Sequence, residues 1–225
     1  MKGVKRLRKP YATYALVTVQ VLLFIGMEVV GSSRGMNTLL LFGAKDNLLI
    51  AGYHQYFRLI TPVFLHIGFT HLLLNSVTLW YLGREVESLI GSWKFLFVYF
   101  YSALMGNLFS YQFSPSLSAG ASTALFGLFA FFLAMRRLYP HSRYYQVMGA
   151  QYQVLILMNI AMNLFSSGID VWGHLGGVIG GFLATLFIGT QGKQGRAYKG
   201  LSLGVSAVII GIILANHGYY NTLFH

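Results

Sequence analysis

Long apolar runs separated by short basic clusters set the solvent in which this chain can fold. A bilayer span needs about 20 mostly apolar residues, and such runs recur between residues 14 and 216. Composition points the same way. Only 9% of the residues are Asp, Glu, Lys or Arg, against about 25% in an ordinary soluble domain, too few to cover a water-facing surface. Within a bilayer each backbone N–H and C=O must be paired inside the protein, so the spans must be helices. The expected fold class is all-α, a polytopic transmembrane helix bundle.

Seven spans are expected, at about 14–30, 59–82, 95–111, 119–135, 152–165, 171–188 and 201–216, the fifth being short. No small-residue cleavage site follows the first run, so it is expected to be an uncleaved span rather than a signal peptide. Lys2, Lys5, Arg6, Arg8, Lys9, Arg84, Lys94, Arg136, Arg137, Arg143, Lys193, Arg196 and Lys199 fall on one side of these spans, and only Arg34, Lys45 and Arg58 on the other. The basic side is the cytoplasmic one, which puts the N-terminus inside and the C-terminus outside. The stretch 31–58 is long for an external connection and carries apolar residues at 39–42 and 48–50, as expected of a segment lying in the membrane interface. A single membrane domain is expected over 1–225, with a core at about 12–190 and an extra C-terminal span at about 200–217. The net charge of +11 does not indicate nucleic acid, because the basic residues sit in short clusters between apolar runs and form no binding face. Cysteine is absent, which excludes a disulfide framework and a thiolate nucleophile.

Polar side chains inside spans are default functional candidates, and three sets stand out. The second span carries His71 and Asn75, which share a helix face at i,i+4. The fourth opens with Gly120, Ala121, Ser122 and Thr123, and the sixth opens with Gly173 and His174. Alternate spans run in the same direction, so Ser122 and His174 lie at similar depths near the outer ends of their helices. His71 is about 12 residues into a span that starts at 59 and so looks deeper, a difference that shrinks if the span begins nearer Pro62. Each group also has an ordinary role: a span serine bonds its own backbone, and a span histidine or asparagine ties helices together. Gly173, Gly177 and Gly181 form a ridge for close helix packing. Gly120 and Gly127 would let the fourth span be the neighbour that brings a serine to His174.

These residues resemble the rhomboid family of intramembrane serine proteases. The likeness runs from about Arg58 to Gly181, in family order. It rests on an arginine-led stretch at 57–66 followed by His71-x-x-x-Asn75, on Gly120-x-Ser122, and on His174-x-x-Gly177-x-x-x-Gly181. The seventh span resembles the six-plus-one arrangement. The resemblance implies that Ser122 is the nucleophile and His174 the general base, and later the acid for the leaving amine. It also implies that His71, Asn75 and the Ser122 backbone N–H line the oxyanion hole, with Gly120, Phe126, Gly177 and Gly181 in support. Three positions depart from the family pattern: Thr123 stands where Gly is usual, Phe126 where Tyr is frequent, and Phe57 where Trp precedes the arginine.

The chain has five acidic residues, Glu28, Asp46, Glu85, Glu87 and Asp170. Glu85 and Glu87 fall on the cytoplasmic side, and Asp170 is placed to cap the sixth span. A Ser–His dyad with no carboxylate orienter is therefore expected, with Phe126 packed on the His174 ring. This chemistry calls for no cofactor and no metal. The expected partners are membrane lipids and transmembrane protein substrates with helix-weakening residues near the outer face. These would reach the serine laterally, near the short fifth span. A bacterial plasma membrane is the expected location, and the oligomeric state is not legible. Two other readings compete: an inactive relative that binds membrane clients, and a transporter with a path lined by His66, His71 and His174.

Overall fold

Breaks between helices fall at prolines and glycines. The structure, a computed structural model, describes residues 9–163, 168–189 and 192–216. The basic residues Lys2, Lys5, Arg6 and Arg8, the expected fifth-span end at Phe165, the Ser166 stretch and residue 217 lie outside these residues. Pro10 precedes α1 (Tyr11–Val30), which stops at Gly31. The connection that follows is structured. It holds α2 (Met36–Phe42), α3 (Asn47–Ala51) and 3-10 turns at Tyr56–Leu59 and Thr61–Phe64. Next come α4 (Phe69–Thr78), a π turn at Leu79–Gly83 and α5 (Arg84–Ile90), which form one continuous path. After Gly91 come α6 (Ser92–Phe113), α7 (Ser122–Leu138), α8 (Arg143–Asn163), α9 (Val171–Gly189) and α10 (Gly192–Ala215).

Two expected boundaries are corrected. The run at 59–82 is not one helix from its start. Pro62 lacks the N–H that an α-helix would use and sits in a 3-10 turn, and Gly68, with φ +78°, starts the true helix at Phe69. His71 is thus in the first turn of α4 and not deep within a span. The fifth element is not short. α8 has 21 residues, because its polar opening, with Arg143, Gln146 and Gln151, belongs to the same helix that an apolar count begins at 152.

The most extensive helix packing is that of α9 against α6 and against α7. Glycines on α9 set the approach. A Cβ on Gly177 would meet Thr123 O at 2.1 Å, and one on Gly181 would meet Gly127 O at 2.2 Å, both on α7. On the α6 side, a Cβ on Gly176 would meet Met105 O at 2.6 Å. Backbone contact at this distance is how small residues hold helices together where lipid offers no hydrophobic drive. Phe95, Tyr99, Leu128, Phe131 and Phe132 fill the interior beside this seam. α10 lies outside it, tied to α9 by Ser202 Oγ donating to Leu183 O at 2.8 Å, and to α6 by the Tyr101–Ser206 hydroxyl pair.

The far end of α1 is held by Glu87, which is fully buried. Its carboxylate accepts from the Ala12 N–H at 3.0 Å, and from the Thr13 N–H and hydroxyl at 2.8 Å each. Ser92 Oγ adds a bond at 2.6 Å. A carboxylate here satisfies orphan N–H groups of the helix start and meets the positive end of its dipole. By length and composition, Tyr11–Val30, Val171–Gly189 and Gln194–Ala215 are apolar enough to cross a membrane. The protein is therefore an all-helical, multi-pass membrane protein.

Candidate active site

Ser122 is the first residue of α7, delivered by a connection that is fixed from several directions. Lys45 and Ser118 exchange backbone hydrogen bonds at 2.9 and 3.1 Å. The buried Lys45 ammonium donates to Ser114 O at 2.8 Å and Ser116 O at 3.0 Å. Burial pulls its pKa down to about 8, and the opposing pull of Asp170 and then Asp46 is smaller. Asn47 Nδ2 donates to Tyr111 O and Ser114 O, each at 3.1 Å. The Gly120 N–H donates to Pro62 O at 2.9 Å, and its φ of +147° is open to glycine. The segment between α1 and α4 therefore clamps the turn that presents the serine.

His174 sits in the first turn of α9. Asp170 caps that helix as its sequence position suggested, with Oδ1 accepting the Gly173 N–H at 2.9 Å. Across the glycine seam, His174 Nε2 is 2.9 Å from Ser122 Oγ. The Phe126 ring lies one turn further along α7 and stacks on the imidazole, with centroids 4.2 Å apart and planes 16° apart. Phe126 thus supplies the expected ring packing. Glu28, Asp46, Glu85, Glu87 and Asp170 leave Nδ1 of this histidine to another group. That group is Asn163 at the end of α8, whose side-chain amide nitrogen is 2.9 Å from Nδ1, in a buried pair.

His71 completes the group from α4. The position a Gly120 Cβ would occupy is 2.9 Å from His71 Nε2 and 3.6 Å from Ser122 Oγ. The bare glycine is therefore what lets this ring approach the serine. The Ile67 N–H points at His71 Nδ1 at 3.3 Å, which makes Nδ1 the acceptor and leaves the proton on Nε2, on the Gly120 side. Asn75 is buried one turn along α4. Its Nδ2 donates to His71 O at 2.9 Å, and its Oδ1 has no hydrogen-bond partner among the described residues. His66 lies edge-on to His71, with centroids 5.3 Å apart. No group of three or more His, Asp or Glu placed to hold a metal occurs among the described residues.

The departures from the family pattern are accommodated. Thr123 fits because α6 offers Gly106 opposite it; a Cβ there would come within 2.6 Å of Thr123 Cβ. Phe57 is exposed with Arg58 over its ring at 5.2 Å, while the Arg58 guanidinium turns inward to Ala44 O at 2.8 Å. Reading the sequence missed Asn163 and Lys45. A buried amide in an apolar run was the available signal for Asn163. Nothing in the pattern marked Lys45 as buried.

The arrangement can polarise a hydroxyl. A serine at a helix N-terminus has free backbone N–H groups and a positive dipole end beside it. An imidazole within hydrogen-bond reach can take its proton. Comparison with known proteins agrees with this chemistry. The Rhomboid domain family matches residues 53–191, more than half of the chain. The chain is 39% identical to Rhomboid protease GluP of Bacillus subtilis over 212 residues, covering 94% of this chain and 41% of that protein. It is 35% identical to Rhomboid-like protease 1 of Toxoplasma gondii over 184 residues, covering 80% of this chain and 61% of that protein. It is 29% identical to Rhomboid-like protease 3 of the same organism over 207 residues, covering 89% and 78%. The chain thus spans less than half the length of GluP. With the glycine seam, the Ser–His contact and these matches together, the chain belongs to the rhomboid family.

Proposed function

We propose that this protein is an intramembrane serine endopeptidase that hydrolyses peptide bonds in or near transmembrane segments of other membrane proteins. The observation that carries this reading is the 2.9 Å contact between Ser122 Oγ and His174 Nε2. In the reaction, His174 takes the Ser122 proton as Oγ attacks the scissile carbonyl. The oxyanion that forms is met by the Ser122 N–H, by His71 Nε2–H and, after turning from its helix carbonyl, by Asn75. His174 then passes the proton to the leaving amine, and water hydrolyses the acyl-enzyme by the same proton path in reverse. The roles of Gly120, Gly177 and Gly181 are to let His71 and α9 come this close, and Phe126 holds the His174 ring.

In this reading the membrane is crossed seven times, by α1, α4 with α5, and α6 to α10, as a single domain with α10 added to a six-helix core. The Lys and Arg distribution supports a cytoplasmic N-terminus and an external C-terminus, in the plasma membrane of a bacterium. Ser122, His71 and His174 all occupy the first turns of their helices, which supports a site near the outer surface, where water can reach it. Substrates are membrane proteins whose helices weaken near that surface, since a stable helix hides its carbonyls. They would approach laterally past α8.

The test is cleavage of a single-span substrate in proteoliposomes by wild type and by Ser122→Ala. Cleavage by wild type alone supports the proposal. Cleavage that survives Ser122→Ala rejects the nucleophile, and client binding without cleavage by wild type would identify an inactive binder.

A further inference from the structure

A serine can pass its proton to a histidine only if the facing ring nitrogen is bare. In a neutral imidazole one nitrogen carries hydrogen, and the partner of the other nitrogen decides which. Nε2 of His174 faces Ser122, so Nδ1 must hold the hydrogen and needs an acceptor. Many hydrolases use a carboxylate there. Here the group at Nδ1 is the amide of Asn163.

An amide can serve both tautomers. With its NH2 toward Nδ1, at the 2.9 Å of the structure, the ring is an acceptor at Nδ1 and carries its proton on Nε2. That proton points at Ser122, and the hydroxyl cannot be deprotonated. A half-turn about Cβ–Cγ, which exchanges two groups of nearly equal size, brings Oδ1 to the same place. Oδ1 then accepts Nδ1–H, bares Nε2 and remains bonded when the ring becomes imidazolium. The other groups around the ring leave this position to Asn163. From α7 come Ser122 and the Phe126 face. From α4, the His71 ring acts electrostatically on His174. Asp170 acts electrostatically on His174 but uses its Oδ1 on the Gly173 N–H.

Resting on the Ser122–His174 reading, we propose that Asn163 is a positioning residue, which selects the His174 tautomer by turning Oδ1 to Nδ1–H and so readies Nε2 to accept the serine proton. Asn163 is buried behind the histidine, so its effect falls on kcat and not on KM. The test uses the full chain in detergent with Asn163→Leu and Asn163→Asp. Leucine removes the hydrogen bond at similar volume. It is expected to lower kcat roughly tenfold or more with KM unchanged. Aspartate can only accept. It is expected to keep kcat near wild type and to move the acid limb of the pH profile upward, because a carboxylate at Nδ1–H stabilises imidazolium. A second readout needs no turnover: nitrogen NMR of isotopically labelled histidine, with His174 assigned by difference against His174→Gln. The expected neutral form carries hydrogen on Nδ1 in wild type and Asn163→Asp, and shifts toward Nε2–H in Asn163→Leu. Wild type with its hydrogen on Nε2, or Asn163→Leu with unchanged tautomer and kcat, overturns the assignment. Equal losses in both variants with an unmoved acid limb would show a purely structural role and overturn it too. If wild type cleaves nothing, the protease reading fails separately, and the spectrum still decides the tautomer.

Discussion

Gly177→Ala tests whether the glycine seam sets the geometry of the serine–histidine pair. An alanine Cβ at this position would lie 2.1 Å from Thr123 O and 3.0 Å from Thr123 C, where ordinary contact begins near 3.4 Å. The obstacle is backbone immediately after Ser122, which cannot swing aside as a flexible side chain would. The two helices must part by about 1.3 Å at this point. Gly177 is less than one turn from His174, so that shift stretches the Ser122–His174 distance from 2.9 Å to about 4 Å, beyond hydrogen-bond reach. A misplacement of about 1 Å can cost about 100-fold in rate. Stability responds less. Overpacking costs about 1–3 kcal/mol, and replacing a helical glycine returns about 1 kcal/mol. The expected result is a kcat loss of about 100-fold with a small fall in Tm, measured by substrate cleavage and thermal unfolding in the same detergent. Gly200→Ala in α10, which meets nothing within 4 Å, is the control and should leave activity unchanged. Wild-type kcat in Gly177→Ala would refute the claim that close helix approach positions the pair.

Three further predictions concern the site and its supports. His71→Ala should lower kcat about 100- to 1000-fold in the cleavage assay, the usual cost of losing an oxyanion donor. Glu87→Ala leaves the Ala12 and Thr13 N–H groups and the Thr13 and Ser92 hydroxyls without their acceptor. Each abandoned donor costs about 1–3 kcal/mol where water cannot replace the carboxylate, so a marked fall in Tm is expected, with Ser122 reactivity intact in the molecules that stay folded. Lys45 binds its proton less tightly when folded (about 8) than its ordinary value of 10.5, so the unfolded chain binds more protons between those limits. Stability should therefore rise with pH from about 8 to about 10.5, and Lys45→Met should remove that part of the slope in thermal unfolding.

The chemistry was legible because it contradicts its surroundings. Ser122, His174 and His71 interrupt apolar runs, and Gly177 and Gly181 repeat at the spacing of a helix face. Their approach required only that alternate helices run in the same direction. The start of α4 was not legible, because 59–82 is apolar throughout and hydropathy alone does not separate 3-10 turns from a helix. Pro62 and Gly68 carried the information, and they bring His71 level with Ser122. The length of α8 was misread for the opposite reason: its glutamines look like a loop although they lie on a helix. The burial of Glu87 was not legible, because it depends on α1 starting at Tyr11, about a turn earlier than the apolar run suggests. Asn163 was invisible as a partner of His174, since contact between α8 and α9 is tertiary and no spacing within either helix encodes it.

The most direct measurement is covalent labelling of the folded protein with a serine-reactive phosphonate, read by intact mass and peptide mapping. If a hydroxyl on α7 is activated by an imidazole on α9, one adduct forms at Ser122, disappears in Ser122→Ala and is strongly slowed in His174→Gln. Labelling spread over several serines, or at Ser122 with undiminished rate in His174→Gln, would contradict the account.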